Sequence, residues 1–462
     1  MVEQAVILVE LAASAGSGEA GGPVCAGRYG LPVRRDRDVG AFNAPPAVDA
    51  GRYGPGRVLL GLSLLQRMIM TLGYGGIKRI LVLAPEGGER FDDLASGTKA
   101  WLRYGTDVRL AAAGDAELPM PEAPFLLLGG MVVFDAALAQ HLHRCEVESD
   151  RLLVPEVNGR SLSRFSGLAL CRAASFRRLV AEAGGAPCDR GLGAFLASAS
   201  PLVVEGHGWV KVDSREGEKQ ARRLLRLSMG KPSDGFFSRH VNRRFSWPIS
   251  RLLIRLGVKP NHVTLANLAL GLFSAWLIGR GGYGSTLAAG LLFQFVSIVD
   301  GCDGEIARLT FRFSALGARL DNLCDIVVLV AFFLSLPIGL YAATRDASYL
   351  TLGGLMALLV AVFYLLLLAR IRLMGFHGNI AEMARRVQER GKGGEALGWL
   401  ERLGTRLGFI FRKEFISLYA MVWCLLGRAE GLLWTIVGLT PLGIVYQLDS
   451  IRRLHSRRPD RA

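Results

Sequence analysis

Six strongly apolar segments follow one another in the C-terminal half of the chain, and they constrain the fold more than any other feature. A helix needs about 20 mainly apolar residues to span a bilayer, so the shorter segments reach that length only with their flanks. The pattern predicts an all-α domain of six transmembrane helices. The segments lie at about 262–279, 284–299, 322–343, 349–369, 414–427 and 431–448.

The distribution of Lys and Arg predicts how this domain is oriented. Ten basic residues lie between Arg370 and Lys413, whereas the loops on the opposite side carry essentially one each. Basic loops stay on the cytoplasmic side, which places both termini in the cytoplasm and the protein in the inner or plasma membrane. The formal net charge of +15 also suits nucleic acid, but the apolar segments favour a lipid surface, and no nucleic-acid partner is expected.

The first half of the chain has a different pattern, in which short apolar runs alternate with helical stretches. This alternation is typical of a parallel, Rossmann-like α/β sheet, and it predicts a domain over residues 1–230. The predicted strands are 5–11, 79–85, 108–114 and 125–130, and the predicted helices are 60–76, 90–105 and 134–145.

The stretch 231–260 connects this domain to the membrane domain at 261–462. It mixes arginines with apolar residues at near-helical spacing, which is typical of an amphipathic helix in the membrane interface. We expect a break near Pro248. The alternative is an amphipathic helix that packs on a soluble core.

Four aspartates lie at the cytoplasmic ends of the second and third apolar segments. Asp300 and Asp303 are three residues apart, and Asp321 and Asp325 are four apart, so each pair shares one helix face. Carboxylates brought together near lipid would repel one another. A hard divalent cation removes this conflict, and oxygen ligands select Mg²⁺, Mn²⁺ or Ca²⁺. The alternative is that arginines 308, 312 and 319 neutralise the aspartates in a purely structural arrangement.

The motif D-x-x-D-G-x-x-A-R, eight residues, G-x-x-x-D-x-x-x-D resembles the signature of the CDP-alcohol phosphotransferases. The resemblance covers about 233–455 and implies a homodimeric membrane enzyme that transfers a substituted phosphate from a CDP-alcohol to an acceptor alcohol and releases CMP. It further implies Mg²⁺ or Mn²⁺, as two ions, and a CDP-diacylglycerol-like donor in phospholipid or phosphodiester synthesis. The implied metal ligands are Asp300, Asp303, Asp321 and Asp325, with Asp325 also the base, and Gly304, Ala307, Arg308 and Gly317 would surround the CDP.

Four basic residues near the cytoplasmic ends of the fourth and fifth segments are candidates for binding a phosphorylated acceptor, because Arg presents a fork that matches phosphate oxygens. The alternative is that they only anchor the protein to anionic lipid. They are Arg370, Arg372, Arg412 and Lys413.

The first domain is similar to the sugar-nucleotide and inositol-phosphate nucleotidyltransferases, with three departures. Val33 follows Pro32 where those enzymes have a Pro-Lys pair, Gly130 stands where they place a metal-binding Asp, and Lys211 occupies a second Asp position. We therefore expect this domain to be inactive. Two alternatives to a membrane phosphotransferase with an inactive first domain stay open. One is a bifunctional inositol-phosphate cytidylyltransferase and di-inositol-phosphate-type synthase. The other, in a different class, is a transporter with a soluble sensor domain.

Overall fold

The computed structural model divides the chain into two compact units, Met1–Met229 and Gly230–Ala462. The residues that it describes are 1–8, 56–84, 101–112, 121–157, 160–161, 167–176, 199–204, 208–230, 241–373 and 413–456. Most of the predicted helix 90–105 lies outside these ranges; residues Trp101–Tyr104 form a short 3₁₀ turn.

The first unit is built on a mixed sheet whose centre is parallel. Its strands are β1 (Gln4–Leu8), β4 (Arg79–Ala84), β5 (Asp107–Ala112), β6 (Phe125–Gly129), β8 (Arg151–Val157), β9 (Arg160–Ser161), β10 (Leu168–Cys171) and β11 (Ser200–Val204). Strand β1 pairs in parallel with β4 and with β6, and β4 pairs in parallel with β5, so the predicted parallel α/β sheet is confirmed. Strand β10 is antiparallel to β6 and β8.

Two short ladders complete this unit, and its helices begin at side-chain caps. Strands β2 (Val58–Leu59) and β3 (Leu62–Ser63) form a hairpin, and β7 (Val132–Phe134) pairs with β12 (Trp209–Lys211). Ser63 and Gln66 form a capping box at the start of α1 (Leu64–Gly75), which satisfies backbone N–H groups that have no partner within the helix. Helices α2 (Ala136–Arg144) and α3 (Arg215–Ser228) begin at Asp135 and Ser214, whose side chains accept backbone hydrogen bonds.

The described residues of the second unit form helices joined by short turns. Helices lie at all six predicted positions, and five of them are long and apolar enough to cross a membrane, which supports a multi-pass membrane protein. The helix at the fifth position has 13 described residues, and its membrane crossing stays a prediction. The helices are α4 (Arg243–Arg255), α5 (Pro260–Gly279), α6 (Tyr283–Leu309), α7 (Ala315–Thr344), α8 (Ser348–Leu373), α9 (Lys413–Leu425) and α10 (Ala429–Ser456).

Small residues let the membrane helices approach closely. A Cβ added at Gly271 of α5 would lie 2.4 Å from a methyl group of Val328 on α7, and a Cβ at Gly339 of α7 would lie 2.0 Å from the carbonyl oxygen of Ile278. Helices in lipid associate through van der Waals packing where side chains are small. These glycines therefore bring α5 into tight contact with α7, the second of the two aspartate-bearing helices.

Helix α4, within the predicted interfacial stretch, runs without a break through Pro248, so the break expected there is wrong. Proline removes one backbone hydrogen bond, but Ser246 and Ser250 on either side of it both hydrogen-bond Glu305 of α6. These contacts hold both sides of the proline in one helix. Residues 231–240 lie outside the described part of the chain.

Candidate active site

The two aspartate pairs lie on consecutive helices joined by a tight turn. Asp300 and Asp303 are on α6, which continues past them to Leu309, as the sequence predicts. Phe311 in the turn has φ +53°, and the Ser314 hydroxyl caps α7 by accepting the N–H of Gly317 at 3.0 Å. Asp321 and Asp325 follow in the first turns of α7. The cap fixes where α7 begins, and therefore where its two aspartates stand.

Three of the four aspartates converge. Asp300, Asp321 and Asp325 each offer a carboxylate oxygen, and these oxygens all lie within 4.8 Å of one another. The three side chains are partly exposed, so a bound substrate could reach them. Such a cluster of oxygen donors fits a hard divalent cation, and the chemistry of this donor set matches the predicted Mg²⁺ or Mn²⁺.

Asp303 is held differently from the other three. Its side chain is buried, and its Oδ2 accepts a hydrogen bond of 2.5 Å from the hydroxyl of Thr264 on α5. A hydroxyl that donates to a buried carboxylate stabilises the ionised form. Asp303 is therefore oriented by a third helix, a contact that the spacing of the aspartates alone does not reveal. Thr264 belongs to the "PNHVT" stretch at 260–264.

Lys413, the first residue of α9, reaches into the carboxylate cluster. Its Nζ lies 2.9 Å from Oδ1 of Asp300 and also donates to Oδ1 of Asp325. The ammonium group supplies one of the positive charges that three neighbouring carboxylates require. The sequence places Lys413 among the candidates for binding an acceptor phosphate, and the structure places it at the aspartates themselves.

The two glycines of the motif lie close to polar side chains. A Cβ at Gly304 would come within 3.3 Å of the Arg308 guanidinium, and a Cβ at Gly317 would come within 3.1 Å of Asn261 Oδ1. Larger side chains would crowd these polar groups. Ala307 and Arg308 are both half-buried on α6, and Ala307, seven residues after Asp300, lies on the same helix face as Asp300. Their role in CDP binding stays a prediction.

The remaining acceptor candidates have different environments. The Arg370 side chain is buried: it donates to Gln447 Oε1 at 3.2 Å and to the Tyr446 hydroxyl at 3.4 Å, and its guanidinium lies over the ring of Tyr446. These contacts join α8 to α10 and give Arg370 a packing role. Arg372 is exposed in the last turn of α8, and Arg412 lies outside the described residues.

The departures noted in the first unit are visible where the residues are described. Gly130 directly follows β6 with φ +80°, a conformation that glycine adopts readily and other residues rarely do, and Lys211 ends β12. The segment with Pro32 and Val33 lies outside the described residues. The backbone at Gly130 is thus adapted to glycine rather than to a metal-binding aspartate.

Comparison with known proteins agrees with this geometry. The sequence model of the CDP-alcohol phosphatidyltransferase family matches residues 258–442. A protein of Rubrobacter xylanophilus named "Bifunctional IPC transferase and DIPP synthase" is 30% identical over 358 residues, which cover 68% of this chain and 79% of that protein. A match over 68% of the chain is longer than the second unit, so it necessarily includes part of the first.

Relatives with the same name give shorter matches. The protein of Thermococcus kodakarensis is 43% identical over 130 residues, and that of Archaeoglobus fulgidus is 38% identical over 160 residues. The matched part spans 29% and 31% of the length of these two relatives. The motif around Asp300–Asp325, the membrane helices and the extended match to the Rubrobacter protein together show that this chain is an enzyme of the CDP-alcohol phosphatidyltransferase family.

Proposed function

We propose that the second unit transfers an inositol-phosphate group from a CDP-inositol-type donor to the hydroxyl group of a phosphorylated inositol acceptor, with release of CMP. The observation that carries the proposal is the convergence of Asp300, Asp321 and Asp325 within 4.8 Å. The names of the relatives support an inositol substrate. They favour it over the CDP-diacylglycerol-like donor that the motif alone suggests.

The roles of the residues follow from their positions. Asp325 accepts the proton of the acceptor hydroxyl, whose oxygen forms a bond to the β-phosphorus of the donor. The bond from that phosphorus to the oxygen that bridges it to CMP breaks, and CMP leaves with the electron pair. A divalent ion at the three carboxylates would neutralise charge on the phosphate oxygens. Thr264 orients Asp303 through its 2.5 Å hydrogen bond.

Lys413 is the best-placed residue to approach both the base and the acceptor. It contacts Asp325 and Asp300, and its ammonium can turn from a carboxylate to an acceptor phosphate as the substrate enters. Arg372 and Arg412 remain proposed acceptor contacts. We also propose that both termini and the aspartate end of α6 face the cytoplasm, on the evidence of the basic loop at 370–413, and that the enzyme is a homodimer, as the family resemblance implies.

The test is CMP release by the full chain in detergent or nanodiscs with Mg²⁺. We expect CMP from CDP-inositol with an inositol phosphate, and a phosphodiester product visible by ³¹P NMR. Asp321→Asn should abolish turnover without loss of folding, because an amide lacks the charge that a divalent ion needs. If CMP is released with CDP-diacylglycerol as the donor but not with CDP-inositol, the enzyme is a lipid synthase. Absence of CMP release with every donor and acceptor tested would favour the transporter alternative.

A cytidylyltransferase activity of the first unit is the second candidate function. The Rubrobacter relative, named bifunctional, matches into this unit, and this favours the activity. Gly130 and Lys211, at positions where metal-binding aspartates are expected, carry the opposite prediction of an inactive domain. Pyrophosphate release from CTP and inositol phosphate by Asp321→Asn full chain decides between them, since that variant isolates the first reaction from the second.

A further inference from the structure

Glu305 is a buried carboxylate that the proposed reaction does not use. It lies on α6 between the motif residues Gly304 and Ala307, and its side chain is 3% exposed. At 100° per residue it points about 140° away from Asp300, so it lies off the face that carries the aspartates. A buried carboxylate needs partners to offset its desolvation, and in the described part of the chain Glu305 finds side-chain partners on α4.

Three residues of α4 contact Glu305. The Ser246 hydroxyl donates to Oε1 at 2.8 Å, the Ser250 hydroxyl donates to Oε2 at 2.7 Å, and the Arg243 guanidinium lies 3.5 Å from Oε1. Both serines are buried. Both carboxylate oxygens of Glu305 thus accept hydrogen bonds. Because the acceptor is charged, these bonds are stronger than hydrogen bonds between neutral groups. We call Glu305, Ser246 and Ser250 the carboxylate clamp.

Polar residues of α4 are buried where this helix meets α6, and large apolar residues are exposed on its other sides. Asn242, just before the helix, accepts from Gln294 of α6, so it and the two serines form one stripe against α6. Phe245 and Leu252 are 55% and 56% exposed on other sides of the helix. An apolar surface turned away from the protein suits the membrane interface. Because these polar contacts join α4 to α6 beside the motif, the clamp connects an interfacial helix to the metal-binding segment.

We propose that Glu305 is a positioning residue, which fixes the rotation of α6 through the carboxylate clamp and so holds Asp300 in its metal-binding orientation. The inference rests on the proposed metal site. Residues that orient metal ligands without contacting the metal typically contribute about 10- to 100-fold to metal affinity or activity. Loss of the clamp should therefore weaken metal binding, not only lower stability.

The test is the Kd of Mn²⁺ alone for the detergent-solubilised full chain, measured as free Mn²⁺ by electron paramagnetic resonance. Glu305→Gln keeps the shape but loses the charge and one acceptor, and we expect its Kd to rise about tenfold. Ser250→Ala removes one donor and should raise the Kd less. Ser250→Ala also tests the proposal if Glu305→Gln does not fold.

Ser274→Ala is the matched control. Ser274 is buried on α5 and donates to the carbonyl oxygen of Ala289 on α6 at 2.8 Å, three helical turns from Asp300. It should lose comparable stability and leave the Mn²⁺ Kd unchanged. A wild-type Kd in Glu305→Gln, or an equal rise in Ser274→Ala, would overturn the proposal. A wild-type Mn²⁺ Kd in Asp321→Asn would instead contradict the assignment of the metal site.

Discussion

Lys413 contacts two of the carboxylates that are proposed to bind the divalent cation. The substitution Lys413→Met therefore tests whether the lysine and the metal neutralise the same charges. Methionine is similar in length to lysine and carries no charge. In the absence of metal, the substitution leaves Asp300 and Asp325 without the ammonium that contacts both of them. The protein should therefore depend more strongly on metal for its stability.

The size of the effect follows from the geometry. At 2.9 Å and an effective dielectric constant of about 20, Coulomb's law gives roughly 6 kcal/mol for the Lys413–Asp300 pair. Breaking a buried pair by removing one partner costs about 3–5 kcal/mol. The Lys413 side chain is 20% exposed, so solvent screening places the expected loss near the lower end. About 3 kcal/mol corresponds to a fall in Tm of roughly 6–12 °C for a unit of this size.

The assay is thermal unfolding of the solubilised full chain with EDTA and with saturating Mg²⁺. In EDTA, Lys413→Met should unfold well below the wild type. With Mg²⁺ most of the difference should disappear, because bound metal supplies the missing positive charge. Arg372→Met, which removes a cation from the exposed end of α8, should change Tm by little in either condition. An equal Tm loss with and without Mg²⁺ would refute the shared site.

Three further predictions test other contacts. Thr264→Val removes the hydrogen bond to Asp303 and should lower turnover by roughly tenfold or more, because a hydrogen bond to a charged group contributes about 1.5–3 kcal/mol. Steady-state kinetics measures the turnover, and a wild-type value would show that Asp303 needs no such donor. Gly271→Ala should destabilise by about 1–3 kcal/mol, and a second substitution, Val328→Ala, should restore Tm if the 2.4 Å approach is the cause. Arg372→Ala should raise the acceptor KM and leave the donor KM unchanged, and an acceptor shift below about twofold would exclude Arg372 from the pocket.

The sequence by itself determined the division of the chain and the chemistry of the site. The alternation of strands and helices before residue 230 required a layered α/β sheet, and the long apolar segments after 260 required helices, since backbone groups in lipid must be satisfied within a helix. The spacing of Asp300, Asp303, Asp321 and Asp325 is a local property of helices. It was therefore readable without a structure.

Only the tertiary structure decided how those side chains are partnered. Three aspartates meet, but Asp303 turns to Thr264, 39 residues earlier in the chain. Lys413, 88 residues after Asp325, enters the site, whereas Arg370 packs against α10. Glu305 takes its partners from α4 on both sides of Pro248. Such contacts depend on the relative rotation and approach of whole helices, which glycine contacts and buried polar pairs set, and no periodicity along the chain encodes them.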